Sequence, residues 1–263
     1  MKKFFSIFFS LIFLSAFCFS AYKMYSIIDG YNEGEKEIAE VYEAAVITTN
    51  DGLDDLPGVT ASIIDANYPF DMTIDFDELK AKNRQTIGWI RFAPEPNTIN
   101  YPIVQTSDNE TYLNRTFSGR ENTLGAIFMD CVNSPDFSDD NTIIYGHRMK
   151  NKTMFYHLQD YKQKEFWAQN PYFYIYTPDG MVSTYQIFAC STIPAGSDTY
   201  DAHFGEEQSF NRYIKNIKNA GYYDTGIEVP YGSKIITLST CTAASDDNRI
   251  TVRGVLVETN PVY

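Results

Sequence analysis

One cysteine in this sequence lies where core packing does not account for it. Cys241 ends an apolar, β-branched run that begins at Lys234, and Arg249 follows eight residues later. A thiol at the end of a strand and close to a fixed positive charge is typical of a nucleophile rather than of a buried core residue. A guanidinium beside it can stabilise an oxyanion. These two residues predict nucleophilic chemistry on a carbonyl group.

The final strand carries two arginines on one face, because Arg249 and Arg253 are separated by an even number of residues. If this strand pairs antiparallel with the run that ends at Cys241, its first residue lies opposite the end of the partner strand. We therefore expect Arg249 beside Cys241. Arg253 would lie about 13 Å further along, in a structural or rim position. The alternative for Arg249 is a surface ion pair with Asp246 or Asp247.

A thiol with an ordinary pKa near 8.5 needs a base or a cation to ionise at neutral pH. The chain has three histidines. His147 is the best candidate, because it ends a strand just as Cys241 does, and Gly146 lets the backbone turn there. His157 lies among aromatic and apolar residues, which is typical of a packed or surface imidazole. His203 precedes a helix and would flank a groove.

The cysteine count supports this assignment of Cys241. Cys18 lies in an apolar N-terminal segment, which leaves Cys131, Cys190 and Cys241 in the body of the chain, too few for a complete disulfide framework. Cys131 and Cys190 have apolar, strand-like neighbours, and we expect both to be small buried hydrophobes. A Cys131–Cys190 disulfide stays open as an alternative.

Composition limits the class of protein. With 263 residues, 44% hydrophobic and 16% aromatic, the chain can bury a large core without a metal or a disulfide. Its net charge of -13 repels phosphate backbones, so nucleic acid is excluded as an expected partner. Acidic clusters at 51–55, 136–140 and 246–247 lack the spacing of a calcium loop and are expected to be solvated surface. We expect no metal site and no cofactor.

The N-terminal end resembles a membrane anchor. Residues 4–22 carry no charge and would span about 28 Å as a helix, with Lys2 and Lys3 before them. The basic pair is expected to stay in the cytoplasm and the rest of the chain to lie outside. A cleaved signal peptide with a cut near 16–18, or lipid attachment at Cys18, is the alternative. We expect residues 1–25 to be the anchor, 26–74 a helix and linker, and 75–263 the main domain.

Periodicity predicts the remaining helices. Residues 33–49 repeat apolar side chains at helical spacing, 50–69 form a polar connector, and Asp75 with Glu78 indicates a capping box that opens a helix through Lys82. Short helices are expected at 109–113 and 154–168, and a clearer one at 206–220 that ends at Gly221. The last helix would either cover a barrel edge or shape a groove.

From Gly88 onward, short runs of β-branched and aromatic residues alternate with turn residues. This pattern predicts an antiparallel barrel or sandwich that is mostly β. The eight strands are expected at 88–92, 99–105, 126–130, 141–145, 172–177, 182–192, 234–238 and 250–258.

The motifs Thr237-Leu-Ser-Thr-Cys241, the downstream Arg249 and Tyr145-Gly-His147 resemble the sortase signature over residues 75–258. Two N-terminal helices, a helix between the sixth and seventh strands and no C-terminal hydrophobic tail resemble class B. The resemblance implies a closed eight-stranded β-barrel with catalytic residues His147, Cys241 and Arg249. Thr242 departs from members with an acidic residue after the cysteine. The resemblance also implies the substrate-binding residues Asn109, Leu113, Tyr145, Tyr200, Ser239 and Thr240.

The implied reaction is cleavage of a sorting signal similar to Asn-Pro-X-Thr-X after threonine, through a thioester. An amine of cell-wall peptidoglycan, or of its lipid-linked precursor, would then accept the acyl group. The partners would be surface proteins that carry the signal, and the enzyme would lie at the cell membrane with its catalytic domain outside. Alternatives are a class C pilin polymerase, a hydrolytic cysteine peptidase and a membrane-tethered binding module without chemistry.

Overall fold

The computed structural model describes residues 2–48, 69–242 and 247–262. Its helices are α1 (Lys2–Ala45), α2 (Phe76–Lys82), α3 (Lys164–Gln169) and α4 (Glu207–Ala220), with 3-10 turns at Thr111–Leu113, Tyr156–Lys162 and Asp198–Tyr200. Its strands are β1 (Val46–Thr48), β2 (Met72–Ile74), β3 (Thr86–Phe92), β4 (Asn100–Val104), β5 (Ile127–Met129), β6 (Asn141–Tyr145), β7 (Tyr172–Thr177), β8 (Met181–Pro194), β9 (Ile235–Cys241) and β10 (Asn248–Pro261).

Strands β3 to β10 close into one barrel, in the order β10-β8-β7-β3-β4-β5-β6-β9. Each of the eight expected strands is present and the closed barrel is confirmed. The expectation of an entirely antiparallel sheet is wrong, because β4 pairs with β5 and β6 pairs with β9 in parallel. Parallel neighbours need long crossovers, and no local sequence pattern shows which distant strands will pair.

Alternation along the strands builds two cores on the two faces of the barrel wall. Ile90, Phe92 and Ile144 belong to the cluster that fills the interior. Trp89, from the opposite face of β3, packs in a second cluster with Val41 of α1 and other residues of the N-terminal elements. Burial on both faces explains why β3 reads as a nearly continuous apolar run.

Helix α1 is one continuous helix, where the sequence predicted a separate helix over 33–49 after the anchor. It contains an 18-residue window with mean hydropathy 1.6, none of it buried against the rest of the protein. The helix ends at Ala45 because the β-branched residues that follow form β1, which pairs with β2. Most of the predicted connector at 50–69 lies outside the described residues.

The second half of α1 is fixed to the barrel. Val41 and Ala45 are buried, as the helical spacing predicted. Asn122 Nδ2 donates to the Gly30 carbonyl oxygen at 2.8 Å. Glu37 is only 6% exposed, and its carboxylate accepts from the Thr116 hydroxyl at 2.9 Å and from the Ser118 N–H at 2.8 Å. The apolar half of the helix is thereby joined rigidly to the folded domain.

The shorter helices largely follow their sequence signals. Asp75 is the N-cap of α2, and its Oδ1 accepts from the N–H groups of Asp77 and Glu78 at 3.0 and 2.9 Å. The helix expected at 109–113 is the 3-10 turn Thr111–Leu113, and the one at 154–168 divides into a 3-10 helix and α3. Helix α4 ends as predicted, with Gly221 as its C-cap residue.

Helix α4 covers the outer wall of the barrel. Phe210, Tyr213, Ile214 and Ile217 are all buried, in a cluster with Phe188 and other residues of the wall. This confirms the covering role that the sequence left open. These four side chains pack on the outer face of β8 and β10, which would otherwise expose apolar side chains to water.

The structure corrects two expectations, one about the acidic cluster at 136–140 and one about Cys131. Asp139 is 4% exposed and accepts from Asn133 Nδ2 and from the Ser134 N–H, both at 2.7 Å, so the cluster at 136–140 is partly structural rather than wholly solvated. Cys190 is buried as expected, but Cys131 is partly exposed and no disulfide joins them. The acidic cluster at 51–55 lies outside the described residues.

The attachment of α1 to the barrel predicts the effect of removing the Glu37 carboxylate. Glu37→Ala leaves the Ser118 N–H and the buried Thr116 hydroxyl without their acceptor, and it should lower the free energy of unfolding by about 1–3 kcal/mol. Chemical unfolding of the full chain in detergent measures this change.

Glu40→Ala is the matched control. Glu40 lies one turn further along α1, is exposed, and within the described residues its one ion pair is with Lys36, at 3.8 Å. Its removal should change stability by less than about 0.5 kcal/mol, because exposed helical ion pairs contribute little. Equal effects of the two substitutions would contradict the docking of α1 through Glu37.

Candidate active site

The parallel pair β6–β9 brings two strand ends to the same rim of the barrel. In its register Tyr145 lies opposite Ser239, and the Gly146 N–H donates to the Ser239 carbonyl oxygen at 3.2 Å. Continuing this register by two residues places His147 level with Cys241. Neighbouring strands lie about 4.8 Å apart, so the pairing alone brings the imidazole and the thiol into one region.

The antiparallel pair β9–β10 places the guanidinium. Arg249 is the direct cross-strand partner of Cys241, as expected from the sequence. The Thr242 N–H donates to the Asn248 carbonyl oxygen at 3.2 Å, so the pairing extends beyond the cysteine. Directly opposite residues have Cβ atoms about 5 Å apart, which puts Arg249 within reach of atoms bonded to the sulfur.

All nine residues singled out from the sequence line one cavity of about 250 Å³. Cys241, Ser239 and Thr240 come from β9, Tyr145 and His147 from the end of β6, and Arg249 from β10. The other three, Asn109, Leu113 and Tyr200, come from loops and 3-10 turns outside the barrel wall. The barrel supplies the reactive groups, and the connections between strands supply the walls.

The His147 ring is held by a backbone carbonyl. Its Nε2 lies 2.6 Å from the Leu113 carbonyl oxygen. A carbonyl oxygen can only accept, so Nε2 carries a proton and donates it. Leu113 itself is 37% exposed, so it is not a core residue.

The turn that presents Leu113 is stabilised by Asp108. The carboxylate accepts from the N–H groups of Glu110 and Thr111 at 2.9 and 2.7 Å, and from the Thr111 hydroxyl at 2.9 Å. These hydrogen bonds favour the charged form and hold the pKa of Asp108 below its ordinary value. The carboxylate of Asp108 is therefore ionised at neutral pH.

Two tyrosines form a neutral, hydrogen-bonded wall. The Tyr145 hydroxyl donates to Asp130 Oδ2 at 2.7 Å, and the Tyr200 hydroxyl lies 2.9 Å from Ser239 Oγ. Burial is the largest cause that raises the pKa of each. For Tyr145 the bond to Asp130 raises the pKa further. For Tyr200 the Ser239 bond and the charge of Arg249 oppose the rise. Both phenols remain protonated at neutral pH.

Two polar groups in the cavity have distinct roles. Asn109 Oδ1 accepts from the Cys131 N–H at 2.8 Å, which fixes the side chain and leaves its amide NH₂ to donate. Thr240 is 2% exposed, and its hydroxyl has no hydrogen-bond partner among the described residues. A buried hydroxyl without a partner is costly, so it favours a ligand or a water that can bond to it.

Three further residues line the cavity. Gly146 was expected there for its backbone, whereas sequence reasoning missed Phe128 and Ala195. The Phe128 ring packs on Tyr145, with centroids 5.3 Å apart. A Cβ on Gly146 would lie only 2.7 Å from the Phe155 ring, so the close approach there requires glycine. Phe128 and Ala195 carry no sequence signal, because only strand pairing brings them to this rim.

The other candidates lie elsewhere. His157 Nδ1 is 2.7 Å from Asp160 Oδ2, and His203 Nε2 is 3.5 Å from Asp139 Oδ1, so neither imidazole reaches the cavity. Arg253 is completely buried under α4 rather than at a rim. Within the described residues, no group of His, Cys, Asp and Glu has the arrangement of a metal site.

A thiol, an imidazole and a guanidinium in one polar cavity are suited to nucleophilic acyl transfer. The thiolate can attack a carbonyl carbon, the guanidinium can stabilise the resulting oxyanion, and the imidazole can exchange protons. A closed mixed barrel that carries these groups at one rim defines a class of cysteine-dependent β-barrel enzymes.

Comparison with known proteins identifies the family. The family model for the sortase domain matches residues 93–257. Sortase B of Listeria monocytogenes is 31% identical over 210 residues, which cover 78% of this chain and 83% of that protein. Sortase B of Staphylococcus aureus is 28% identical and covers 70% and 75%.

Solved structures agree. Sortase B from B. anthracis, in complex with AAEK1, superposes with a TM-score of 0.69 at 28% identity, covering 88% of this chain and all of that one. A Staphylococcus aureus sortase B–substrate complex gives a TM-score of 0.64 at 28% identity, covering 70% and 84%. The chain belongs to the sortase family and is a class B sortase, a cysteine transpeptidase.

The geometry around His147 predicts the effect of a methyl group at Gly125. Gly125 has φ +65°, and a Cβ there would lie 2.7 Å from the Tyr112 carbonyl oxygen, 2.8 Å from His147 Cδ2 and 3.0 Å from the Leu113 carbonyl oxygen. Gly125→Ala should displace the imidazole and lower kcat/KM for peptide cleavage by about 10- to 100-fold.

Gly119→Ala is the control, because Gly119 has φ +80° but no atom within 4 Å of an added Cβ. Gly119→Ala should cost about 1 kcal/mol of stability through left-handed strain. Gly125→Ala should cost more, because its Cβ also meets the Tyr112 carbonyl oxygen at 2.7 Å. Only Gly125→Ala should reduce activity. A normal kcat/KM in the Gly125→Ala variant would show that the position of His147 does not limit the reaction.

Proposed function

We propose that this protein is a membrane-anchored transpeptidase that cleaves a sorting signal similar to Asn-Pro-X-Thr-X after threonine. It then transfers the acyl group to an amine of cell-wall peptidoglycan or its lipid-linked precursor. The observation that carries the proposal is that Cys241, His147 and Arg249 share one cavity with the six residues expected to bind the signal. A Staphylococcus aureus sortase B has been solved with its substrate, and a sortase B has been solved in complex with triglycine, which supports a peptide substrate and an amine acceptor.

The first half-reaction forms a thioester. The Cys241 thiolate bonds to the threonine carbonyl carbon, and the carbonyl π pair moves to oxygen. Arg249 donates hydrogen bonds to that oxyanion. The C–N bond then breaks as the oxyanion collapses, and His147 gives a proton to the departing amine. The ring turns from Leu113 to do so.

The second half-reaction reverses the roles. The acceptor amine bonds to the thioester carbonyl carbon while His147 takes a proton from it, and the sulfur departs as thiolate. Arg249 again stabilises the oxyanion. Because the same imidazole serves as acid and then as base, its state after the first step is the one the second step requires.

Groups along the cavity can orient the signal before attack. The Asn109 amide offers hydrogen bonds to the peptide, Thr240 lines the cavity beside Cys241, and the Tyr145 and Tyr200 rings, with centroids 5.9 Å apart, offer an aromatic surface. Leu113 adds an apolar contact, and Ser239 fixes Tyr200 through its hydroxyl. Orientation of this kind lowers the entropic part of the barrier.

Single substitutions test the three roles. With a fluorogenic Asn-Pro-X-Thr-X peptide and the full chain in detergent, Cys241→Ala should abolish cleavage. His147→Ala should lower kcat by at least about 100-fold and Arg249→Lys by about 100-fold. Cys131→Ala and His203→Ala are controls outside the cavity and should retain activity.

The acceptor step separates the transpeptidase from its alternatives. Adding triglycine should produce a peptide joined to the triglycine amine through the threonine carbonyl, detected by mass spectrometry. Cleavage that yields only the free acid with every amine supplied would favour a hydrolytic peptidase. Undiminished cleavage in Cys241→Ala would contradict the thioester mechanism, and no cleavage by the unaltered protein would favour a binding module.

The membrane position rests on α1. Its apolar half is exposed, its other half is fixed to the barrel, and Lys2 and Lys3 at its start favour a cytoplasmic N-terminus. The catalytic domain would then lie outside the cell, held a short distance from the bilayer by a rigid helix. Such a position suits an enzyme whose substrates are themselves at the membrane surface.

Thiol labelling tests the orientation. A membrane-impermeant maleimide added to intact cells should modify Cys131 and Cys241, which are partly exposed, and should not modify Cys190. Burial raises the pKa of Cys190 to about 12, so this thiol is both covered and protonated. Labelling of Cys131 and Cys241 only after cells are opened would place the barrel in the cytoplasm.

A further inference from the structure

A second cavity lies beneath α4, separate from the one around Cys241. Its volume is about 340 Å³, equivalent to about ten water molecules, and it is enclosed by α4, the outer faces of β8 and β10, and the loop after β8. Polar residues form much of its lining, and the substrate cavity uses none of them. They are Ser191, Thr199, Asp201, Ser209, Arg212 and Asn216.

Arg253 lines this cavity and is the most unusual side chain in the wall. It is 0% exposed, and its Nη1 donates to Ser191 Oγ at 3.0 Å. Its Nε and Nη2 atoms have no hydrogen-bond partner among the described residues. No carboxylate of the described chain forms an ion pair with it. A buried guanidinium without an anionic partner is costly.

The Tyr213 hydroxyl lies close enough to Arg253 to interact with it. It meets hydrogen-bond geometry with neither Nε nor Nη2. It accepts from Asn141 Nδ2 at 3.0 Å and donates to the Thr199 carbonyl oxygen at 2.9 Å, and as a neutral phenol it does not balance the buried positive charge. Burial lowers the pKa of Arg253 because desolvation opposes the charge, and an added negative group would offset this cost.

The two unpartnered nitrogens determine what would fit. Nε and Nη2 form one edge of the guanidinium, with parallel N–H groups that match two oxygens of a carboxylate or a phosphate. Arg212 lines the same cavity from the exposed side of α4 and adds a second positive charge at its entrance. Neither cation is used by the proposed transpeptidation.

We propose that the cavity beneath α4 binds a small anionic group, a carboxylate or a phosphate, through the Nε–Nη2 edge of Arg253. Arg212 attracts the anion at the entrance. In the structure both nitrogens are out of contact with solvent, so the proposed binding requires a side chain of the lining to move aside. The site is distinct from the Cys241 cavity, with which it shares no lining residue.

Nuclear magnetic resonance of the arginine Nε–H groups tests the proposal on the full chain in detergent. Inorganic phosphate and acetate are titrated separately at constant ionic strength, with chloride as the balancing anion. The Arg253 signal, assigned by through-bond correlation from its backbone and by its loss in Arg253→Lys, should shift and saturate. The Arg91 signal should not move, because that guanidinium is already paired with Asp71 at 2.6 Å.

The two anions distinguish the chemical source. Saturation by phosphate alone assigns a phosphate group, and saturation by acetate alone assigns a carboxylate. Saturation by both assigns a site that recognises the shared pair of oxygens. Failure of the Arg253 signal to shift with either anion, or an equal shift with chloride, overturns the proposal.

Arg212→Gln provides a second test that leaves Arg253 in place. It should weaken binding about two- to fivefold, as expected for one exposed charge near the anion. Arg120→Gln removes an exposed charge that is not part of the cavity lining and should leave the dissociation constant unchanged. Equal effects of the two substitutions on the dissociation constant would show that anion binding depends only on the net charge of the protein, which would also overturn the proposal.

Discussion

The parallel pairing of β6 with β9 is the constraint on which the candidate active site depends. Parallel neighbours end at the same rim, so the two C-terminal ends, one followed by His147 and the other formed by Cys241, emerge side by side. An antiparallel partner would have put the imidazole at the opposite end of the barrel. The other neighbour of β9 is β10, which is antiparallel, so the beginning of β10 and its residue Arg249 lie at the same rim. Strand β9 thus pairs in parallel with β6 on one side and antiparallel with β10 on the other, and these two pairings bring His147, Cys241 and Arg249 to one rim.

The barrel gives this arrangement its rigidity. Closure removes free strand edges, and the interior is filled by apolar side chains from every strand. The walls of the cavity come from less regular segments, the turn that ends at Leu113 and the one that contains Tyr200. The strands that carry Cys241 and Arg249 are thus held by the hydrogen bonds of the sheet. Several residues expected to bind peptide lie instead on loops and 3-10 turns, whose sequences vary more between related proteins.

The connection between β8 and β9 serves two cavities at once. Its 3-10 turn places Tyr200 in the wall of the Cys241 cavity and Thr199 in the wall of the cavity beneath α4. Helix α4 is therefore more than a cover for apolar strands. It encloses a polar chamber whose buried charge, Arg253, lies on the same face of β10 as Arg249. The two arginines differ in surroundings because one lies at the rim and the other under a helix.

The sequence alone determined the positions of the eight barrel strands, because β-branched and aromatic runs between turn residues are a local signal. It also determined the Cys241–Arg249 pair, since a short connection between antiparallel strands sets their register. Tertiary structure decided the rest. The parallel partner of β6, the burial of Arg253 and Asp139, and the contribution of Phe128 and Ala195 all depend on contacts between distant segments. Helix α1 runs unbroken to Ala45 for the same reason, since packing on the barrel stabilises its second half. Such contacts depend on how strands pair around a closed barrel, which no stretch of neighbouring residues encodes.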